Sequence, residues 1–456
     1  VNLRPYQQRG LDEIRTHLRQ GARSVLWQMP TGAGKTASTA HMLASAAAKG
    51  SRSWFVVHRR ELILQSTRAF CAAGVPHGIV AAGFVSSPTR AVQICSVQTL
   101  ARRLESMQAP DLIVWDECHH IAAGSWSSIF ARYSRARHVG LSATPVRLDG
   151  KGLGDHFDEM VRGPTVRELI DGGFLVRYRA FAPTIPDTAG LHTRMGDYVK
   201  SEVANLMDRP RIVGDAIAHY RKLAAGKRAV VFSVSIEASR RVVDGFRAAG
   251  IPAEHVDGET PTDERDAAIR RFESGDTLVL SNVDLFGEGF DLPSIEVAIL
   301  LRPTQSLGLY LQQVGRALRT APGKSEAIIL DHAGNILRHG LPDEDREWTL
   351  DGERASKKKK ESAASVRQCL QCYGISPSAA QVCRQCGSPF PVQAREIEHV
   401  AGELAEVDPL QLRRQAKREQ AQAKSLEALI ELGRVRGYKR PHLWASHVWQ
   451  SRQRRA

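Results

Sequence analysis

The stretch MPTGAGKT at Met29–Thr36 leaves few folds open, because an apolar run, SVLWQ, leads into it and a helix-patterned segment leaves it. Gly32 and Gly34 let the backbone curl until its amides face phosphate oxygens. Lys35 supplies a point charge, the Thr36 hydroxyl can ligate magnesium, and Thr31 belongs to the same phosphate-binding loop. A helix that begins there adds its dipole to the anion site. Met29 stands where the strictest form of the pattern has glycine.

A strand that feeds such a loop is buried on both faces, and the chain holds more of the same kind. SWFVV near Phe55, VQICSV near Ile94, DLIVW near Ile113 and HVGLS near Leu141 read as buried strands with helices between them, which is a parallel, doubly wound sheet. A second series, RAVVFS, TLVLS, EVAILL and EAIILD, follows after about Asn205. The expected fold is therefore α/β, with two tandem doubly wound parallel-sheet domains. The expected layout is a first sheet domain over 1–178, a linker over 179–204 and a second sheet domain over 205–340. A charged linker over 341–366, a four-cysteine module over 367–390 and a basic helical region over 391–456 complete it. With 456 residues, three or so domains are the usual expectation.

The run LIVWDECHH places two carboxylates, a thiol and two imidazoles directly after a buried strand. Asp116 falls at the carboxyl end of that strand, where open α/β sheets place their ligand crevice, and a carboxylate there can hold magnesium. Glu117 is then placed to orient or deprotonate the water that attacks a γ-phosphate. Zinc needs three or four ligands converging on one point, whereas neighbours at a strand end diverge. Cys118 reads as a small packed residue, His119 as a coupling residue between the nucleotide site and the second domain, and His120 as a surface residue.

The cysteines that do suit zinc lie further on. Cys369, Cys372, Cys383 and Cys386 form two C-x2-C pairs ten residues apart, with Gly374 and Gly387 after them for two tight turns. Four thiolates leave no open position for a catalytic water, so the metal would be structural. Cys71, Cys95 and Cys118 are scattered, and the pattern suits a reducing compartment rather than a disulfide framework. No apolar run approaches the roughly 18 residues of a membrane span, and the first residues lack the apolar core of a signal peptide, so a cytoplasmic location is expected.

Charge narrows the partners. The chain carries 63 Lys and Arg against 49 Asp and Glu, which favours a polyanionic partner or an anionic membrane surface, and charge alone does not separate the two. The C-terminal region, helical from Pro409 to Leu432 and again after Pro441, mixes basic residues with Tyr438, Trp444 and Trp449. Basic side chains with aromatic platforms suit single strands or junctions, and tryptophans at helical spacing suit a packed helix equally well.

These motifs, in this order, resemble those of the superfamily 2 helicases and translocases of the DEAD/DEAH type over roughly the first 335 residues, and the resemblance implies that the two sheet domains are RecA-like motor domains. The resemblance makes LRPYQ an adenine-reading segment, with Arg4, Tyr6 and Gln7 at the base. It makes VVHRREL and SVQTL strand-contacting motifs, pointing to Arg59, Gln98 and Thr99. SATP, with Ser142 and Thr144, would link hydrolysis to movement. GEGFD, with Gly287 and Asp291, and QQVGRALR, with Gln312, Arg316 and Arg319, would face the nucleotide from the second domain. A second domain that lacks its own phosphate loop cannot hold ATP alone, so arginines presented from it couple nucleotide state to domain angle.

Within the superfamily, LRPYQQ, PTGAGKT, DECHH and LRPTQSLGLYLQQVGRALR followed by a cysteine module resemble the RadD-type bacterial DNA repair helicases and their phage relatives. The resemblance implies ATP, Mg2+ and structural Zn2+ as cofactors, with single-stranded, forked or branched DNA as partner. Single-strand-binding or replication and repair proteins are further expected partners. An RNA-remodelling ATPase would share every motor motif, and the motor of a restriction system would need a nuclease domain or partner, for which no nuclease-like acidic motif stands after residue 340.

Overall fold

The computed structural model describes residues 3–121, 124–147, 150–182, 188, 190–194, 196–207, 210–285, 292–351, 366–390, 417–436, 438 and 441–453. Seven strands form the first sheet: β1 (Ser24–Gln28), β2 (Ser53–Val57), β3 (His77–Val80), β4 (Val92–Ser96), β5 (Leu112–Trp115), β6 (Arg137–Ser142) and β7 (Glu159–Arg162). Their order is β3-β4-β2-β5-β6-β1-β7, with every pairing parallel. All residues of β1, β2 and β5 are buried, as helices on both faces of a parallel sheet require.

The second sheet holds β8 (Arg177–Phe181), β11 (Ala229–Phe232), β12 (Ala253–Val256), β13 (Val279–Asn282), β14 (Val297–Leu300) and β15 (Glu326–Asp331) in the order β12-β13-β11-β14-β15-β8. Its pairings are parallel as well. A short antiparallel hairpin, β9 (Thr193–Arg194) and β10 (Asp197–Tyr198), stands beside it. Two parallel doubly wound sheets are what the apolar runs imply. The four strands those runs do not reveal, β3, β7, β8 and β12, are the four edges. Edge strands bury only some of their residues, so their sequences mix polar with apolar residues.

Two segments read from sequence as connections are built into the fold. β8 starts at Arg177 and lies in the second sheet, so that sheet reaches back past the expected linker start at 179. After β15, the chain from Leu341 to Asp351 returns to the first domain instead of lying in solvent. The Asp343 carboxylate is buried, accepts the Tyr178 hydroxyl and pairs with Arg167. The Gly154 amide donates to the Leu350 carbonyl at 3.0 Å, and the Leu350 side chain packs on the first-domain core. Buried apolar contacts and a satisfied carboxylate hold this stretch despite its charged composition.

The cysteine module opens with β16 (Val366–Gln368) and β17 (Ile375–Pro377), an antiparallel pair. It docks on the end of β8: the Ala182 amide donates to the Tyr373 carbonyl at 3.2 Å, and the Gln368 amide reaches the Ala182 carbonyl. Residues 1–390 make one compact unit and residues 391–456 another. Within the second, the helix Leu426–Val435, capped by Ser425, packs on the helix Pro441–Gln453. Trp444 lies on Gly433 and meets Tyr438 edge-on at 5.0 Å, so this tryptophan is engaged in packing. Residues 409–416 of the expected tail helix lie outside the described residues, and the rest is not one helix: it breaks at 423–425, where the Ser425 side chain caps the new helix. Among the described residues, no helix is long and apolar enough to cross a membrane.

Candidate active site

The phosphate loop follows β1 and leads into the helix Lys35–Ala47. Gly32 and Gly34 have φ of 87° and 82°, a left-handed backbone open to glycine at little cost. Gly34 also has no room for a side chain, since a β-carbon there would lie 2.4 Å from Gln7 Nε2. The Met29 side chain is fully buried and only its carbonyl faces the loop, accepting from Lys35 Nζ at 3.3 Å. The departure from glycine at this position is therefore accommodated by the core.

β5 ends at Trp115, and the next two carboxylates take different paths. Asp116 is buried, with its amide bonded to the Val56 carbonyl of β2. Burial, followed by the neighbouring Glu117 charge, pushes its carboxyl up to about 6, while Lys35 pulls the other way. Glu117 sits at φ 47°, a left-handed conformation uncommon for a non-glycine residue and a form of strain found at functional sites. The turn sends its carboxylate back toward the loop, 3.9 Å from Lys35 Nζ and 3.4 Å from His119 Nδ1. Ser142 Oγ lies 3.4 Å from the same His119 nitrogen and donates to the Thr144 carbonyl at 2.8 Å. The Cys118 thiol is fully buried and its pKa is raised by that burial, in keeping with a packed residue. His120 departs from the surface reading: its ring lies 4.2 Å from His119 and 4.8 Å from His58.

A cleft of about 900 Å³ opens above the loop. Arg4, Thr31, Gly32, Gly34, Lys35, Thr36, Asp116 and Glu117 line it from the first domain, and Arg316 and Arg319 from the second. Tyr6 and Gln7 are buried beneath it and brace the loop: the Tyr6 hydroxyl and Gln7 Nε2 each donate to the Ala33 carbonyl at 3.0 Å. Gln312 is directed elsewhere, into a small polar cavity with Arg59, Asp284 and Arg302. Arg59 donates to the Asp284 carbonyl at 3.0 Å, Gln98 Nε2 donates to the His58 carbonyl at 3.3 Å, and Thr99 follows in the helix Val97–Arg103. The Thr144 hydroxyl faces Gly308 of the second domain. Gly287 and Asp291 lie outside the described residues.

Several residues around the cleft carry no mark in the sequence. Phe174 lies under the Arg4 guanidinium at 4.4 Å and against the Tyr6 ring at 5.4 Å. Leu175 packs on Gly32 and pairs with Arg319, and the Val176 amide donates to the Leu318 carbonyl, so the chain leaving the first domain is stitched to the arginine-bearing segment. Arg265, on the helix Thr262–Ser274, meets Glu61 across the cleft at 3.2 Å. No local pattern marks these residues, because their partners are far away in sequence.

The residues at the loop suit a magnesium nucleotide. Thr36 and Asp116 both line the cleft, a hydroxyl and a carboxylate being the oxygen donors magnesium takes. At the cysteine module, the four Sγ atoms lie within 4.8 Å of one another. Cys369 and Cys386 are 3.7 Å apart and Cys372 and Cys383 3.6 Å, close to the roughly 3.8 Å edge of a tetrahedron with Zn–S near 2.3 Å. The four thiols therefore fit zinc. In the first turn the left-handed residue is Tyr373, φ 60°, while Gly374 is needed for space, a β-carbon there lying 2.4 Å from Gln385 Cγ. In the second turn Gly387 itself is left-handed, φ 74°.

Comparison with known proteins agrees with this architecture. Residues 1–147 match the family described as Type III restriction enzyme, res subunit, and residues 210–321 match the helicase conserved C-terminal domain. A 51.5 kDa protein of Lactococcus phage (isolate 7-9) is 36% identical over 81% of this chain and 78% of its own length. Saccharomyces cerevisiae IRC3, assigned as an ATP-dependent helicase, is 29% identical over 73% of this chain and 51% of its own length, so the chain spans about half of that relative. The DNA 3'-5' translocase XPB2 of Sulfurisphaera tokodaii is 23% identical over 73% of this chain and 81% of its own. Among solved structures, a fragment assigned as the HsdR subunit of a type I restriction enzyme from Vibrio vulnificus YJ016 shares the fold, with TM-score 0.59 and 24% identity over 74% of this chain and 65% of that one.

Proposed function

The chain belongs to superfamily 2 of the helicases and translocases, and from that membership we propose that it is a DNA-stimulated ATPase that moves along DNA or remodels it. One observation carries the reading: Lys35, Thr36, Asp116 and Glu117 from one sheet and Arg316 and Arg319 from the other line a single cleft. In it, Lys35 neutralises phosphate charge, Glu117 handles the attacking water, and the arginines stabilise the transferring phosphoryl group when the domains close. Thr36 and Asp116 hold the magnesium that accompanies ATP and supplies charge at the phosphates. Tyr6 and Gln7 hold the loop from below, with Arg4 over Phe174 as the wall for the base. The thiols of Cys369, Cys372, Cys383 and Cys386 hold a structural zinc that keeps the module folded on β8.

Arg59, Gln98 and Thr99 are the strand contacts in this reading, and His119, Ser142 and Thr144 couple them to hydrolysis. DNA is favoured over RNA by the relatives, XPB2 being a DNA translocase. Repair, recombination or replication of single-stranded, forked or branched DNA is the matching task, with single-strand-binding or repair proteins as partners, and the likeness to RadD-type helicases points the same way. The match of residues 1–147 to a restriction subunit family favours a second reading, a restriction motor acting with a separate nuclease.

The test is ATPase turnover measured side by side with single-stranded, duplex and forked DNA and with RNA. Arg316→Ala and Arg319→Ala should keep nucleotide binding by the first domain and lose most strand-stimulated turnover, on the order of 10³-fold for a residue that acts as a finger. Full DNA-stimulated hydrolysis in both variants would overturn the two-domain site, and stimulation by RNA alone would move the substrate to RNA.

A further inference from the structure

His120 is the member of the DECHH run that the motor reading leaves without a task. Its ring lies 4.2 Å from that of His119, tilted 41°, and 4.8 Å from that of His58, tilted 56°. Trp126, almost fully buried, backs both His58 and His120 at just over 6 Å and itself packs on Trp115, the residue before Asp116. Three imidazoles from two strand ends thus sit in a row against a fixed aromatic wall.

The two ends of the row reach different functional groups. At one end, His119 Nδ1 is 3.4 Å from the Glu117 carboxylate. At the other, His58 carries the carbonyl that accepts from Gln98 and precedes Arg59, so it joins both expected strand contacts. The backbone at His58 leads directly into the helix Arg60–Ala72, so a strand gripped at Arg59 and Gln98 pulls on this residue.

We propose that His58 and His120 are positioning residues that carry strand contact at Arg59 and Gln98 to Glu117 through ring-on-ring packing. The inference rests on the strand-stimulated ATPase proposed above. The three half-buried rings touch one another and are backed by the buried Trp126, so a shift of His58 displaces His120 and with it the His119 ring that faces the Glu117 carboxylate. Neither residue need touch ATP or DNA through its side chain. A ring at position 120 is what the relay requires, not its protonation.

The experiment compares wild type, His120→Ala and His120→Phe in ATPase assays with and without saturating single-stranded DNA, together with DNA affinity by fluorescence anisotropy. His120→Ala should cut the stimulation ratio by about tenfold, within the range of coupling changes made by residues that contact neither ligand. Basal turnover, the KM for ATP and DNA affinity should stay near wild type. His120→Phe, which restores a ring, should recover stimulation. His120→Gln, which keeps bulk and polarity without a ring, serves where the alanine variant does not fold. Wild-type stimulation in His120→Ala or His120→Gln would overturn the relay, as would an equal loss of basal and stimulated turnover that phenylalanine does not rescue. Wild-type turnover that no nucleic acid raises would instead overturn the functional reading, and the relay with it.

Discussion

Gly315 of the second domain lies directly against Thr31 of the phosphate loop: a β-carbon at Gly315 would stand 2.8 Å from Thr31 Cβ. One turn of this helix, Leu307–Ala317, therefore touches the nucleotide loop with bare backbone, and Arg316 follows in the next position. The contact sets how close the arginines come to the phosphates.

Gly315→Val should hold the two domains apart by the width of its side chain. The expected outcome is a loss of DNA-stimulated turnover comparable with that of Arg316→Ala, with ATP binding by the first domain retained. Stopped-flow binding of a fluorescent ATP analogue beside steady-state ATPase assays separates the two effects.

Lys35→Ala should lose ATP binding or turnover, whereas Glu117→Gln should bind ATP and barely turn it over, since the amide cannot accept a proton from water. The 3.9 Å between Lys35 Nζ and Glu117 Oε1 puts both groups at one spot. Near-normal hydrolysis by Glu117→Gln would reassign the base.

The cysteine module should carry one zinc per chain, measured by metal analysis after gel filtration. The double substitution Cys369→Ser, Cys372→Ser should abolish it. Because Tyr373 and Gln368 bond to Ala182, loss of metal should also raise amide exchange at the end of β8.

Stability should fall on mild acidification through His138. Its Nδ1 accepts the Trp115 indole N–H at 3.1 Å, and its Nε2 lies 3.0 Å from the Tyr133 carbonyl, to which it donates, so the neutral ring satisfies both. Burial depresses its pKa to about 4 from 6.5. As pH drops below 6.5 the unfolded chain takes up the proton first, so stability is lost progressively between about 6.5 and 4, by roughly 3 to 4 kcal/mol at most. His138→Phe should lower stability at pH 7 by stranding the Trp115 donor and flatten the dependence below it. Urea melts at pH 7, 6 and 5 give both numbers.

Much of the site is legible along the chain because its residues act through local geometry. The glycines of the phosphate loop, the carboxylates after β5 and the two cysteine pairs each need only their immediate neighbours to take up their places. Gln312 shows the limit: its motif suggests the nucleotide, yet the helix turns it into the small cavity with Arg59 and Asp284. Which face of a helix meets which partner depends on how the two domains pack.

By itself, then, the sequence determined two parallel sheets, through central strands that are apolar on both faces, and the local geometry of the loop and of the cysteine pairs. Only the tertiary structure decided the edge strands, whose mix of buried and exposed residues carries no continuous apolar signal. It alone showed that Leu341–Asp351 returns to the first domain, that Phe174 walls the nucleotide cleft and that His120 bridges His58 and His119. Each of these depends on contacts between residues far apart in sequence, and burial, unlike a motif, exists only after the chain has closed on itself.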